Sequence, residues 1–147
     1  MSVEATELES LALEAGFACL SGASIADRSY ALPSKRWVVG DYFEALWAFQ
    51  HALMVGKWKE EENDCDDFAR MAAAFAQLLH HRTIDKDKAT ALAIGELWFQ
   101  QAPGVGHAIN IAVCGRHPDD VFVFEPQTCK RIDLTEEQKD HIYMIRF

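Results

Sequence analysis

The chain has 147 residues, 50% of them hydrophobic, with 23 acidic against 14 basic side chains and a formal net charge of -9 at pH 7. That length holds one sizeable core, so one domain over residues 1–147 is expected, and the charge disfavours phosphate backbones and anionic membrane surfaces, which repel it. No window reaches the roughly eighteen apolar residues needed to span a bilayer, and MSVEATELES opens on glutamates where a secretory leader carries Lys or Arg, so a cytoplasmic protein is expected.

From about Glu4 to Cys19, the residues Leu8, Leu11, Ala12, Ala15 and Ala18 recur at spacings of three and four, the pattern of one buried helix face. The stretch LPSKRWVVGDY is expected to break helicity, since Pro33 biases Leu32 toward extended backbone and Gly40 punctuates the chain again. A second helix is expected over about Asp41 to Val55, ending at Gly56, with Phe43, Leu46, Trp47, Leu53 and Met54 available to a core. The charged run KWKEEENDCDD leads into a third helix, about Asp64 to His80, whose Phe68, Met71, Ala72, Phe75, Leu78 and Leu79 keep a helical period. The period then changes. ATALAIGELWF, HAINIAVCG, VFVFEP and IYMIRF are rich in β-branched and aromatic residues and are separated by turn signals such as APGVG and RHPDD, so short antiparallel strands are expected. Helices followed by such a sheet make an α+β domain.

The four cysteines, Cys19, Cys65, Cys114 and Cys129, are too thinly spread for a disulfide scaffold and read as thiols. Cys65 stands out. With Asn63 or Asp64 as the cap, it falls in the first turn of the third helix, where free backbone N–H groups and the helix dipole stabilise a thiolate. Glu61, Glu62, Asp64, Asp66 and Asp67 act the other way, because carboxylates raise a thiol pKa. The thiolate therefore needs a cationic partner. Among six histidines, His107 is the candidate: it follows the APGVG turn and opens the apolar strand HAINIAV, so the backbone under the imidazole is fixed while a loop gives access. Glu125 ends the apolar run VFVF just before Pro126, and either faces water as a strand end or partners the second ring nitrogen of His107.

This order, Cys at a helix start, His at a strand start and acid at the end of the next strand, resembles the papain-like and transglutaminase-like superfamily of cysteine enzymes. NDCDDFA looks like the Cys segment of bacterial transglutaminase-like cysteine peptidases, and GHAI resembles their His segment. Trp58, Cys65, His107 and the EPQ of Glu125 to Gln127 are most similar to the C-terminal protease domain of the fairy-ring mushroom agglutinin, a calcium-activated cysteine protease, without its lectin domain. The likeness covers about Trp58 to Thr128.

It implies a papain-like or transglutaminase-like fold, with N-terminal helices and the Cys helix packed on an antiparallel sheet. It also implies a cysteine peptidase or an enzyme transferring glutamine side-chain amides. Cys65 would be the nucleophile, His107 the base and then acid, and Glu125 the group orienting the imidazole, while the Cys65 backbone N–H would meet the oxyanion. Trp58 is expected either as an indole donor to that oxyanion or as a hydrophobic cap on the core, and Gln127 as a lining residue of the cleft or a support of the base. Asp64, Asp66 and Asp67 permit a calcium ion, a hard cation needing about six to eight oxygens. The expected partner is a protein or peptide substrate, with no nucleic acid and no membrane. The alternative is a catalytically inactive acidic module that binds proteins on the same fold.

Overall fold

In the computed structural model, residues 1–19, 21–53, 64–83 and 90–147 are described. The centre is a five-stranded antiparallel sheet in the order β7-β6-β5-β4-β8. Its strands are β4 (Ile94–Ala102), β5 (Val105–Val113), β6 (Val121–Glu125), β7 (Lys130–Ile132) and β8 (Ile142–Arg146). The first four follow one another in sequence and space. β8 returns to the free side of β4 after a short helix, α5 (Glu136–Asp140), which Thr135 and Gln138 start with a reciprocal capping box.

The apolar runs of β4, β5 and β6 are continuous because both faces of this sheet are covered. On β6, Val121 and Val123 point one way into a core shared with Leu8, Leu11 and Ala12 of α1 (Ala5–Glu14). Phe122 and Phe124 point the other way, into a core with Phe43 and Leu46 of α3 (Phe43–Ala52) and Ala72 and Ala76 of α4 (Cys65–Thr83). The alternation of one strand thus glues two helical layers to one sheet.

A second sheet is small and mixed. β1 (Ser2–Glu4) pairs antiparallel with β2 (Ser29–Ala31), which pairs parallel with β3 (Ala91–Leu92). Just before β2, Ser24 lies along the outer edge of β8: its N–H donates to the Ile145 carbonyl, and its carbonyl accepts from Phe147.

This arrangement corrects the expected papain-like or transglutaminase-like layout of N-terminal helices with the Cys helix on an antiparallel sheet. The chain opens on a strand, β1 and β2 belong to a separate sheet, and the five strands are covered on both faces by helices. Three-residue strands paired across long stretches of chain leave too little periodicity to be read locally. Helical structure also begins before Asp41. Ser34 accepts from the Trp37 N–H and caps α2 (Lys35–Trp37), which runs through a π turn (Val38–Tyr42) into α3, so Gly40 lies within helix. The expected end of that helix, from Met54 to Gly56, lies outside the described residues.

The rotation of α4 differs from its period as well. Ala69, Ala72 and Ala76 are fully buried while Leu78 is exposed. Small side chains bring the helix backbone close to its neighbours: Asn110 of β5 donates from Nδ2 to the Ala69 carbonyl at 2.8 Å, and the Tyr42 hydroxyl donates to the Ala72 carbonyl at 2.8 Å. The same Asn110 amide donates to the Gly95 carbonyl of β4 at 2.9 Å. α4 is therefore fixed to the sheet by polar bonds inside an apolar interface. Among the described residues, no helix is long and apolar enough to cross a membrane.

Candidate functional site

The start of α4, the start of β5 and the end of β6 converge. β5 begins after a tight turn in which Gly104 takes a φ of +76°, and His107 is its third residue. Glu125 is the last residue of β6, because Pro126 cannot donate to the ladder. The structure brings these two together. His107 Nε2 lies 2.9 Å from Glu125 Oε2, with both side chains mostly buried. Among the described residues, Nδ1 makes no hydrogen bond of its own.

The turn after Glu125 is held from several sides. The Gln127 backbone N–H donates to Glu125 Oε1 at 3.1 Å, so both carboxylate oxygens are engaged. The Pro126 carbonyl accepts from Gln50 Nε2 at 3.0 Å and from the Cys129 thiol at 3.5 Å. Gln50 is buried on α3 and links that helix to the turn. Gln127, expected either to line a cleft or to support the base, makes this contact to the carboxylate through its backbone N–H.

Cys65 opens α4. The Asp64 carbonyl accepts the first helical bond from the Phe68 N–H, and Asp67 Oδ2 reaches back to the Asp64 N–H at 3.4 Å. Asp64 is therefore the N-cap and Cys65 the first helical residue. The Cys65 thiol is pushed up chiefly by burial. The Ala108 backbone N–H, one residue beyond His107, pulls the value down; Asp64 and Asp66 raise it again; and the Cys65 N–H lowers it. Cys65 and the start of β5 are therefore neighbours. Trp58, Glu61, Glu62 and Asn63 lie outside the described residues.

Asp64, Asp66 and Asp67 each bring a carboxylate oxygen within 4.8 Å of the others. Asp66 is raised chiefly by a hydrogen bond with Asp64, then by burial and the charges of Asp64 and Asp67, while Arg70 opposes the shift. Arg70 pairs with Asp66 at 3.1 Å and with Asp67 at 3.7 Å. Three carboxyl groups this close repel one another when ionised, and three hard oxygen donors suit a hard cation. These residues fit calcium in donor chemistry, with further oxygens needed to complete its shell.

Two participants escaped the sequence. One is the Ala108 N–H, since a backbone donor leaves no compositional signal. The other is Tyr143 of β8, whose phenol is raised by burial first and then by the charges of Cys65 and Asp66. Its place depends on how β8 pairs with β4.

No protein-family profile matches the chain, and no curated protein matches it. Solved structures do. A structure titled "PSL1a-E64 complex" superposes with a TM-score of 0.71 at 22% identity, covering 99% of this chain and 51% of that one. A Polyporus squamosus lectin, bound to the human-type influenza-binding epitope Neu5Acα2-6Galβ1-4GlcNAc, gives 0.72 at 20% identity, covering 99% and 49%. The chain spans about half the length of the solved chains it matches. Neither title names a papain-like peptidase, a transglutaminase or an acidic interaction module. The expected family, including its likeness to the agglutinin protease domain, is corrected on this finding. So are the peptidase, hydrolase and amide-transfer function and its alternative of an inactive acidic module. At these identities the comparison establishes a shared fold: the chain folds like about half of a lectin-titled chain.

Proposed function

We propose that Cys65, His107 and Glu125 form a nucleophilic thiol site that makes a covalent bond to a carbon electrophile on a bound ligand. The observation that carries this is the 2.9 Å contact between His107 and Glu125 beside a cysteine at a helix start. Glu125 holds Nε2, so Nδ1 takes the thiol proton, and the carboxylate stabilises the imidazolium that forms. The binding of E64, an epoxide, by PSL1a gives the reading a chemical probe.

The test is mass spectrometry of the protein after incubation with E64 near pH 7. One adduct on Cys65 is expected, absent in Cys65→Ala and strongly slowed in His107→Ala. Glu125→Gln keeps the pair but loses charge and tautomer control, so it reacts more slowly than wild type. Competition from Cys129 and Cys114 is small, because burial pushes Cys129 up to about 11 and Cys114 up to about 12. An adduct that persists unchanged in Cys65→Ala overturns the proposal. A calcium ion at Asp64, Asp66 and Asp67 would supply positive charge beside the sulfur and favour its thiolate. Alkylation of Cys65 is accordingly expected to run faster in millimolar calcium than in excess chelator, and equal rates remove the metal without touching the thiol.

A second reading is glycan binding, favoured by the sialylated trisaccharide in the lectin structure. Calorimetric titration of this chain with Neu5Acα2-6Galβ1-4GlcNAc tests it. Heat that saturates supports a glycan partner for this half, and its absence at millimolar sugar rejects it.

A further inference from the structure

Tyr143 reaches the site through an irregularity in the sheet. Met144 of β8 faces Trp98 of β4 and Ile142 faces Phe99, so neighbouring residues on β4 meet residues two apart on β8, and Tyr143 is the extra one. An extra residue in an antiparallel ladder bends its strand and re-aims its side chain. Ile142 and Ile145 are both buried, whereas Tyr143 is 45% exposed. Its ring packs edge-on against Trp98 at 6.4 Å between centroids.

The hydroxyl stands over Gly106, the residue before His107. A Cβ on Gly106 would meet it at 2.9 Å, so the bare backbone makes room for the phenol. The charges of Cys65 and Asp66 both act on the phenol, which puts it within electrostatic reach of the nucleophile. The hydroxyl makes no hydrogen bond to another described residue, so its proton is available to a ligand.

Resting on the reading of Cys65 as nucleophile, we infer that the Tyr143 hydroxyl donates a hydrogen bond to the electrophile's oxygen and makes the site selective for electrophiles that develop an oxygen anion. With an epoxide, the Cys65 proton passes to His107, sulfur bonds to an epoxide carbon, and the C–O bond breaks to leave an alkoxide on the neighbouring carbon. The alkoxide is stabilised by the phenol while it forms and then takes the proton from the imidazolium, giving a β-hydroxy thioether and neutral histidine. Nothing is oxidised or reduced. A haloacetamide needs no such donor, because iodide leaves and the carbonyl is not attacked.

The experiment compares E64 and iodoacetamide on wild type, Tyr143→Phe, Gly106→Ala and the double variant, with Cys65→Ala as control. Loss of one oxyanion donor costs about 100- to 1000-fold in buried sites, and a half-exposed phenol is expected to give less, about tenfold to a hundredfold on the limiting E64 rate. Iodoacetamide rates should stay within about twofold. Gly106→Ala displaces the hydroxyl and should slow E64 selectively as well, with the double variant no slower than Tyr143→Phe, as expected of two changes acting on one interaction. If Tyr143→Phe takes E64 as fast as wild type, or loses rate toward both reagents alike, the donor role is overturned while the nucleophile stands. If wild type and Cys65→Ala are labelled alike by E64, the nucleophile reading fails and this inference fails with it.

Discussion

Asn110 is the residue whose replacement should disturb the site most from a distance. It is fully buried on β5, and its amide donates to Ala69 of α4 at 2.8 Å and to Gly95 of β4 at 2.9 Å. A net gain of about 1 kcal/mol per buried hydrogen bond makes this pair worth about 2 kcal/mol. Truncation to Ala adds roughly 1 kcal/mol for unfilled space, for a total of about 3 kcal/mol. That is a large share of the roughly 5 to 15 kcal/mol that holds a domain folded. Urea unfolding measures it: with a slope of about 2 kcal/mol/M, the midpoint of Asn110→Ala should fall by roughly 1.5 M at unchanged slope.

Asn110→Asp sharpens the test, since it keeps the shape but sets a carboxylate against two carbonyl oxygens. Burial and those dipoles raise its folded pKa above the unfolded value of about 3.9. The variant should therefore be most stable below that value, where the carboxyl is protonated in both states, and lose stability as pH rises toward its folded pKa. An Asn110→Ala midpoint within about 0.25 M of wild type, about 0.5 kcal/mol at that slope, would refute the view that this amide fixes α4 to the sheet.

Asp66→Asn should move the midpoint of the Cys65 alkylation rate against pH to lower pH, because Asp66 is one of the charges raising that thiol; the move is partial, since burial is the larger cause. An unmoved profile would detach Cys65 from the acidic cluster. Phe124→Ala removes a fully buried ring packed on Tyr42 and Phe43 and should cost about 3 to 5 kcal/mol, read as a lower midpoint in thermal denaturation. Cys114 and Cys129 hold their protons to about 12 and about 11 in the fold, against 9.0 for the ordinary thiol. Stability should therefore be level below about pH 9 and decline above it, as the unfolded thiols ionise first, and Cys114→Ala with Cys129→Ala should flatten that decline in urea titrations at pH 7 and 10.

What the sequence made legible follows from where the physics is local. The VFVF of β6 and the HAINIAV of β5 show as strands because both faces are covered, and the first turn of α4 shows because acids cluster at its N-terminus. The spacing of His107 and Glu125 on successive strands could suggest a meeting, and the distance between them is what the structure adds. Ser2–Glu4 and Ser29–Ala31 are hidden because three residues carry no period and their partners are remote. Leu78 is exposed, although the helical period counts it as core, because the buried face of α4 follows Ala69, Ala72 and Ala76, small enough to let side-chain donors reach its carbonyls. Tyr143 is hidden for another reason. Alternation along IYMIRF predicts one side, and only the shifted register against β4 turns the ring toward Gly106.

The strap formed by residues just before β2 also sets an order of events in folding. The β4–β5 hairpin closes across a two-residue turn, whereas the β2–β3 pairing joins Tyr30 to Ala91, about sixty residues away. Closing the longer loop costs about 3 kcal/mol more in chain entropy, so the hairpin forms first and the small mixed sheet last. The bonds of Ser24 to Ile145 and Phe147 span more chain still, and they cover the outer edge of β8. Until that segment arrives, the edge stands open with unpaired amides, and in a crowded refolding mixture the same segment of a second molecule can take its place. Exchange of this edge segment between two chains is therefore the misassembly this topology invites, and dilution is what suppresses it.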